Sequence, residues 1–326
     1  MKKEELRIVF MGTPEFAVAS LRRLVEGGYN VVAVVTQPDK PVGRHQEQLQ
    51  PSQGKQYAVA HGIPVLQPVK MKDPAFVEEL RSYEAELQVV VAFRILPEIV
   101  WAMPRFGTFN VHAALLPQYR GAAPINWAII NGETETGVTT FFLDKDIDTG
   151  KIIMQKHFAI PDEADVEYVY DGLMHLGAEI AIETIDKMLE NNGNIDSISQ
   201  GDFSRFSEDE LKTAPKIFKE TCQIDWTLPA KRVYDFVRGL SPYPGTWTHL
   251  EENGRQSVLK IFKTAKTSVT GSGETGSIKI EKGHLYVMCG DAWLEVLELQ
   301  MAGKKRMNAR DFLNGMRGKS FRMLTK

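Results

Sequence analysis

Residues 7–35, RIVFMGTPEFAVASLRRLVEGGYNVVAVV, place an amphipathic stretch between two apolar runs. Short continuous apolar runs are typical of strands buried on both faces of a parallel sheet. Pro14 suits a first helical turn, because the N–H that proline lacks is unpaired there in any helix. The expected helix ends near Gly27-Gly28 and buries Phe16, Leu21 and Leu24. This segment therefore predicts a strand–helix–strand unit.

The same alternation continues through the first half of the chain. A helix is expected from about 165 to 191, and further strands are expected at 87–93, 107–112, 137–143 and 151–158. Strands that alternate with helices predict an α/β domain with a Rossmann-like, mostly parallel sheet. The first turn, MGTPEFA, has one glycine where a dinucleotide-binding motif needs three, and no P-loop is present. We therefore expect neither NAD nor ATP.

The second half has a different texture. Residues 200–218 are polar and irregular, which is typical of a linker. Beyond them come IDW at 224–226, a predicted helix at 229–240, and short strands separated by glycine. Such strands at about ten-residue spacing indicate a small OB-like β-barrel. We therefore expect a catalytic domain over 1–199, a linker over 200–218 and a barrel domain over 219–326.

Composition excludes several classes of protein. Two cysteines among 326 residues cannot form a disulfide framework or a C-x-x-C zinc site. The N-terminal MKKEELRIVFMG is unlike a signal peptide, and no apolar run approaches 18 residues. We expect a cytoplasmic protein without a membrane segment. No predicted helix has an unusual apolar face that would indicate a subunit interface, so a monomer is expected.

Charge is distributed unevenly along the chain. Residues 1–206 hold 19 basic and 28 acidic side chains, whereas residues 207–326 hold 20 and 14. The last 26 residues alone hold eight basic side chains and one acidic one. Such asymmetry suggests that the second half meets a polyanion, although charge alone favours the simpler interpretation of a solvated basic tail.

Polar residues follow two of the predicted strands. Asn110 and His112 are two apart at the end of one strand, so their side chains share a face. FFLDKDIDTG places Asp144, Asp146 and Asp148 after the next strand. Ligands bind outside the carboxyl ends of parallel strands, and the histidine, amide and a strand-end aspartate can converge there. Taken alone, His112 is better explained as a partly buried, hydrogen-bonded imidazole, and the three aspartates as a solvated turn; the combination favours chemistry.

The residue types restrict the chemistry. There is no G-x-S-x-G, neither cysteine lies in the first domain, and no H-E-x-x-H is present. Covalent catalysis and metal-assisted hydrolysis are therefore poorly supported, and we expect no metal. An amide beside a histidine suits acyl transfer through a tetrahedral intermediate, with His112 and Asp148 handling protons. The spacing of these residues does not identify the acyl donor or the amine acceptor.

The stretch NVHAALLPQYRGAAPINWAIINGETETGVTTFFLDKDIDTG resembles the signature of the formyltransferases that use 10-formyltetrahydrofolate. IVFMGTPEFAVASL, VTQPDKPVGR, IDWTLPA, SPYPGTW and LQMAGKKRMNARDFLNG are similar to the branch that acts on methionyl-initiator-tRNA, so the resemblance runs nearly end to end. It implies a catalytic trio of Asn110, His112 and Asp148. For the folate co-substrate it implies contacts at Ala114, Leu115, Leu116, Pro117, Phe93, Ile95 and Asp146. For the tRNA it implies contacts at Arg44, Lys216, Lys304, Lys305 and Arg306.

Three features depart from the family pattern. Most relatives have serine at Ala114, the loop around Arg94 is one residue shorter than usual, and GRHQEQLQ replaces a lysine-rich run after Arg44. Two other functions stay open. One is formyl transfer to a sugar nucleotide or ribonucleotide amine, against which the basic Gly303–Arg306 stretch argues. The other is RNA binding without catalysis, against which the intact trio argues.

Overall fold

The computed structural model describes residues 1–42 and 48–326. The chain divides into two compact units, each built from three segments. Unit 1 comprises Met1–Gly121, Thr136–Ala159 and Tyr170–Thr213. Unit 2 comprises Ala122–Glu135, Ile160–Val169 and Ala214–Lys326. Two short segments of the first half therefore belong with the C-terminal unit, which the sequence did not predict.

The first 190 residues contain the strands and helices expected from the apolar pattern, together with further short elements that were not predicted. The strands are β1 (Ile8–Met11), β2 (Val31–Val35), β3 (Lys40–Val42), β4 (Gln48–Gln50), β5 (Val65–Leu66), β6 (Leu87–Val91), β7 (Thr108–His112), β8 (Arg120–Gly121), β9 (Glu135–Phe142) and β10 (Ile152–Ala159). The helices are α1 (Glu15–Glu26), α2 (Gln53–Ala60), α3 (Pro74–Ser82), α4 (Glu98–Trp101), α5 (Pro124–Ile130) and α6 (Val166–Glu190). Pro14 is the N-cap residue of α1, one position before its first turn, and the predicted face of Phe16, Leu21 and Leu24 is buried.

The main sheet of unit 1 has the strand order β10-β9-β7-β6-β1-β2-β5. β5, β2, β1, β6 and β7 are parallel along this order, and Val9, Met11 and Val35 lie in its core. β9 runs antiparallel to β7, with Asn110 opposite Phe141 and His112 opposite Thr139. The Rossmann-like, mostly parallel sheet is confirmed, with its direction changing at β9.

Residues 191–326 form the remaining elements. The strands are β11 (Thr213–Ala214), β12 (Thr246–Glu252), β13 (Arg255–Lys266), β14 (Ile278–Glu281), β15 (His284–Met288), β16 (Trp293–Met301), β17 (Met307–Asn308) and β18 (Phe321–Leu324). The helices are α7 (Gln200–Phe203), α8 (Ala230–Gly239) and α9 (Ala309–Gly315), with 3₁₀ turns at Glu208–Glu210 and Glu220–Cys222. No helix within residues 1–42 and 48–326 is long and apolar enough to cross a membrane.

The sheet of unit 2 is an OB-like barrel with the order β14-β15-β16-β13-β12-β18, and β17 pairs with β16. Its two ends meet where Met323 N–H donates to the Gly276 carbonyl at 2.9 Å. Gly276 has φ +81°, and a Cβ there would lie 2.1 Å from the Met323 carbonyl oxygen. This closure therefore requires glycine, and the OB-like barrel is confirmed.

The IDW segment supplies the centre of the barrel core. Trp226 is fully buried, and its Nε1–H donates to the Thr248 hydroxyl at 3.0 Å, which satisfies the indole donor. The basic C-terminal stretch also belongs to the fold. Phe312 of α9 and Met323 of β18 are buried in the same core. The last 26 residues are thus a structured part of the barrel that carries its charge on the outside.

Residues 200–213 are folded onto unit 1. Gln118 Oε1 accepts from Lys212 N–H at 2.7 Å, and Tyr119 N–H donates to the Lys212 carbonyl at 2.7 Å. Ser199 caps α7, where its hydroxyl accepts from Asp202 N–H. This part of the expected linker consequently has fixed partners.

Candidate active site

Asn110 and His112 lie at the carboxyl end of β7 in the main sheet. The connections from β1 lead towards β2 and β5, whereas β6 and β7 lie on the other side of β1. The strand order therefore reverses between β1 and β6, and ligands of open α/β sheets bind at such a point. β7 is next to β6, so its last two polar residues stand beside this crevice.

His112 is held by a hydrogen bond at one ring nitrogen and faces a carboxylate with the other. The side chain is 6% exposed, and its Nε2 lies 2.9 Å from the Tyr119 carbonyl oxygen. Because a carbonyl can only accept, Nε2 carries a hydrogen. Nδ1 faces Asp148 Oδ2 at 3.9 Å, and Phe141 meets the ring edge-to-face. The imidazole is thus orientated with Nδ1 towards the carboxylate.

Asp148 lies in a tight turn between β9 and β10. Its φ is +56°, a left-handed conformation that is uncommon for a non-glycine residue. Gly121 N–H donates to Asp148 Oδ2 at 2.9 Å. Earlier in the turn, Asp144 Oδ1 accepts from Asp146 N–H and the Thr149 hydroxyl, which shapes the chain before Asp148. The structure brings His112 and Asp148 together and leaves Asp146 exposed in the turn.

Asn110 has an unusual amide. Its Oδ1 is buried and has no hydrogen-bond partner among the described residues. A buried polar atom without a partner costs about 1–3 kcal/mol, so its presence calls for an explanation. The fold tolerates this amide at the end of β7, two residues before His112. An unpaired acceptor in this place is suited to a hydrogen-bond donor on a bound substrate.

The loop after β7 is packed against β9 and β10. Ala114, Leu116 and Pro117 are buried, and Leu115 is half-buried. The Thr139 hydroxyl donates to the Ala114 carbonyl and accepts from Leu116 N–H. Gln155 Nε2 donates to the Leu116 carbonyl at 2.7 Å and to the Thr139 hydroxyl at 2.9 Å. The loop expected to contact folate is therefore rigid.

The loop after β6 differs in exposure along its length. Phe93 packs against the main core, whereas Ile95 is 72% exposed. Arg94 faces neither the core nor open solvent. Its guanidinium donates to the carbonyl oxygens of Val69, at 2.9 Å, and Pro68, and its burial lowers its pKa. Arg94 thus ties this loop to the segment that follows β5.

Two residues beside the site, Arg120 and Gln200, were not predicted from the sequence. Arg120 Nε and Nη2 donate to Gln200 Oε1 at 3.0 and 2.6 Å. Gln200 Nε2 donates to the carbonyls of Asp148 and Gly150 at 2.7 and 2.9 Å. Nothing in the local pattern around residue 200 indicated this, because a single glutamine in a polar stretch has no periodicity.

The expected tRNA contacts lie partly outside the described residues. Arg44 falls within 43–47, of which nothing is described. Lys216 is exposed, and its Nζ lies 5.5 Å from the centre of the Phe218 ring. Phe218 is itself 57% exposed, so this lysine–aromatic pair stands at the surface of unit 2.

The basic Lys304–Arg306 stretch contains two kinds of cation. Lys304 and Lys305 are exposed and form no ion pair with any residue that the structure describes. Arg306 instead pairs with Glu298 at 2.5 Å, and its guanidinium lies 4.5 Å from the Phe262 ring centre. The two lysines are therefore free to meet an anion, whereas the arginine is already bound.

A Rossmann-like sheet followed by an OB-like barrel is the architecture of the formyl transferases. The formyl transferase family model matches residues 6–185, and the model of the formyl transferase C-terminal domain matches residues 216–317. The chain belongs to this family.

Curated relatives match along nearly the whole chain. It is 61% identical to a methionyl-tRNA formyltransferase of Parabacteroides distasonis, over 97% of this chain and 98% of that protein. It is 56% identical to a methionyl-tRNA formyltransferase of Bacteroides fragilis, over 97% and 96%.

Solved structures share the fold at low identity. An N-formyltransferase from Helicobacter canadensis, in complex with folinic acid and dTDP-3-aminofucose, has a TM-score of 0.64 at 19% identity, over 91% of this chain and 99% of that one. HypX from Aquifex aeolicus, in complex with tetrahydrofolic acid, has a TM-score of 0.61 at 17% identity, over 96% and 48%.

Proposed function

We propose that this chain transfers the formyl group of 10-formyltetrahydrofolate to the α-amino group of methionyl-initiator-tRNA, for translation initiation. The names and the identity of its curated relatives support the methionyl-tRNA acceptor, and the folate complexes among the solved structures of the same fold support a folate donor. The observation that carries the chemistry is the grouping of Asn110, His112 and Asp148 at the strand ends. The protein would act as a cytoplasmic monomer. Its catalytic part would comprise residues 1–199, its barrel 219–326, and the connection 200–218.

The amide and the imidazole would act on the formyl carbonyl. When the amine nitrogen attacks the formyl carbon, negative charge develops on the formyl oxygen. Asn110 can donate its amide N–H to that oxygen, and a protonated His112 can stabilise the charge from the other side. Preorganised donors of this kind contribute most where water is excluded, and His112 is 6% exposed.

His112 and Asp148 would handle the protons. The attacking amine loses one proton, and the departing folate nitrogen gains one as its bond to the formyl carbon breaks. His112 Nε2–H is engaged by the Tyr119 carbonyl, which leaves Nδ1 to exchange a proton beside Asp148. The carboxylate stabilises the positive ring in the interval. Asn110 Oδ1, which is otherwise unpaired, can accept from the attacking amine.

The folate donor would occupy the crevice outside β6 and β7. Ile95 offers an exposed apolar surface there, and Phe93 supports the same loop. Ala114, Leu115, Leu116 and Pro117 would form one rigid wall, and the turn containing Asp146 another. A large, partly apolar ligand with a few polar groups fits such a crevice. The donor supplies the activated formyl group.

The acceptor tRNA would be held by cations through its phosphates. Lys304 and Lys305 are free for this role, Lys216 would lie near the tRNA end, and Arg44 would contact the acceptor stem. Arg306, paired with Glu298, would contribute mainly by shaping the stretch. Phosphate contacts position a nucleic acid without reading its sequence.

A formyl-transfer assay with 10-formyltetrahydrofolate tests the proposal. Methionyl-initiator-tRNA is compared with the uncharged tRNA and with a panel of amino sugars and ribonucleotide amines. Rapid formylation of the charged tRNA alone is expected, and His112→Ala should abolish it. Transfer only to a small amine would overturn the choice of acceptor. Tight tRNA binding without formyl transfer would overturn the proposal that the chain is catalytic and would support RNA binding alone.

A further inference from the structure

Gln200 is a polar side chain that is 4% exposed and has every amide position occupied. Nε2 donates to the Asp148 and Gly150 carbonyls, and Oε1 accepts two hydrogen bonds from Arg120. An amide offers two donor hydrogens and two acceptor lone pairs, so its capacity is used completely. Gln200 is therefore fixed in one position.

The partners of Gln200 are the two loops that hold the histidine–aspartate pair. Gly121, next to Arg120, donates its N–H to Asp148 Oδ2. Tyr119, on the other side of Arg120, accepts from His112 Nε2 with its carbonyl. The hydrogen bonds of Gln200 thus close a ring that runs through both loops and contains the pair itself.

Asp148 needs this support because of its own geometry. Its backbone is left-handed at φ +56°, a strained conformation for a non-glycine residue that persists only where neighbours enforce it. The carboxylate lies 3.9 Å from His112 Nδ1, just beyond hydrogen-bond distance, so a shift of the turn by about 1 Å decides whether the two groups can form a hydrogen bond. The bond from Gln200 to the Asp148 carbonyl acts on the residue that must stay in place.

We propose that Gln200 is a positioning residue, which sets the Asp148 carboxylate against His112 by bracing the Asp148–Gly150 turn on Arg120. The inference rests on the proposed function, because it assigns Gln200 to the formyl-transfer step. Gln200 touches neither reacting group and acts only through Asp148.

A bland alternative is that Gln200 merely anchors residues 200–213. The chain offers a matched control in Gln118, which holds the same segment without contacting Asp148. Its Nε2 donates to the Glu210 carbonyl at 3.3 Å, and its Oε1 accepts from Lys212 N–H at 2.7 Å. If anchoring alone matters, replacing either glutamine should have similar effects.

The test measures steady-state formylation by the full-length chain carrying Gln200→Leu, Gln200→Glu or Gln118→Leu. Gln200→Leu should lower kcat by about tenfold to a hundredfold, the effect of misplacing a reacting group by about 1 Å. KM for both substrates should stay within about threefold of the original. Gln118→Leu should keep kcat within about threefold. Gln200→Glu retains the acceptor for Arg120 and loses the donors to the turn, so its kcat should fall as for leucine even if the leucine variant folds poorly.

A double-mutant cycle shows whether Gln200 acts through Asp148. In an Asp148→Ala background, Gln200→Leu should change kcat by less than about twofold. An equal loss in both backgrounds, or a loss no larger than that of Gln118→Leu, overturns the inference. The single variant Asp148→Ala distinguishes a failure of the Gln200 inference from a failure of the proposed function. If it leaves turnover within tenfold of the original, the proposed function of the trio fails, whatever Gln200 does.

Discussion

The replacement Asn110→Ala should make the protein more stable and nearly inactive. Asn110 Oδ1 is buried without a hydrogen-bond partner among the described residues, so the folded state carries a desolvation cost there. Alanine removes that atom. It also removes the amide N–H that we assign to the developing oxyanion. Stability and activity should consequently move in opposite directions.

The magnitudes follow from these two roles. An unsatisfied buried polar atom costs about 1–3 kcal/mol, and the lost packing of a half-buried side chain offsets part of the gain. We expect the free energy of unfolding to rise by about 1 kcal/mol, or about 2–4 °C in Tm for a domain of this size. Loss of one oxyanion donor lowers kcat by about 10²–10³-fold.

Thr140→Val on β9 is the control for this prediction. The Thr140 hydroxyl is fully buried and satisfied by the Thr184 hydroxyl at 2.9 Å. Its loss should lower the free energy of unfolding by about 0.5–1.5 kcal/mol and leave kcat within threefold. Thermal unfolding and formylation kinetics are measured on both variants. If Asn110→Ala loses as much stability as the control, its amide is a structural partner. If it keeps more than a tenth of kcat, it is no oxyanion donor.

Three further predictions concern the surface, the thiols and the donor loop. Lys304→Ala combined with Lys305→Ala should weaken tRNA binding and lower the slope of log binding constant against log salt concentration by about 2. Arg306→Ala should change this slope less. If the slope measured by filter binding is unchanged in the double variant, the two lysines are only solvated. Burial raises the pKa of Cys289 to about 12, so iodoacetamide at pH 8 should label this thiol only after unfolding. Mass spectrometry of the native protein should find no adduct at Cys289. Arg94→Met should raise KM for the folate donor severalfold with kcat within twofold, and equal KM values would mean that the Val69 contact does not shape the donor loop.

Much of the main sheet was predictable because buried strands and amphipathic helices leave periodic patterns. The run at 31–35 is β2 without change, and α6 falls within a residue of its predicted bounds. The antiparallel direction of β9 was not predictable, since a buried strand is a continuous apolar run in either direction. β12 directly follows Pro242, Pro244 and Gly245, which indicate a turn, so the start of this strand was not predictable from the local pattern.

Other parts of the molecule depend on contacts that no local pattern contains. The C-terminal stretch is dominated by eight basic residues, so its pattern did not indicate which apolar positions are buried. Phe312 and Met323 of this stretch lie in the barrel core. At the site, the approach of His112 to Asp148 could be expected from strand ends. The ring through Arg120 and Gln200 could not, because it joins residues 80 positions apart through single side chains.

Ala114→Ser tests the clearest departure of this chain from its relatives. The Ala114 side chain is fully buried, and its carbonyl already accepts from the Thr139 hydroxyl at 2.6 Å. A serine hydroxyl at this position would be buried as well, so it would need a partner inside the protein or cost about 1–3 kcal/mol. We expect Tm to fall and KM for the folate donor to stay unchanged. If the hydroxyl instead reached the donor, its hydrogen bond of about 0.5–1.5 kcal/mol would lower KM by about twofold to tenfold. Such a decrease, measured with saturating tRNA, would show that the rigid loop moves when the donor binds.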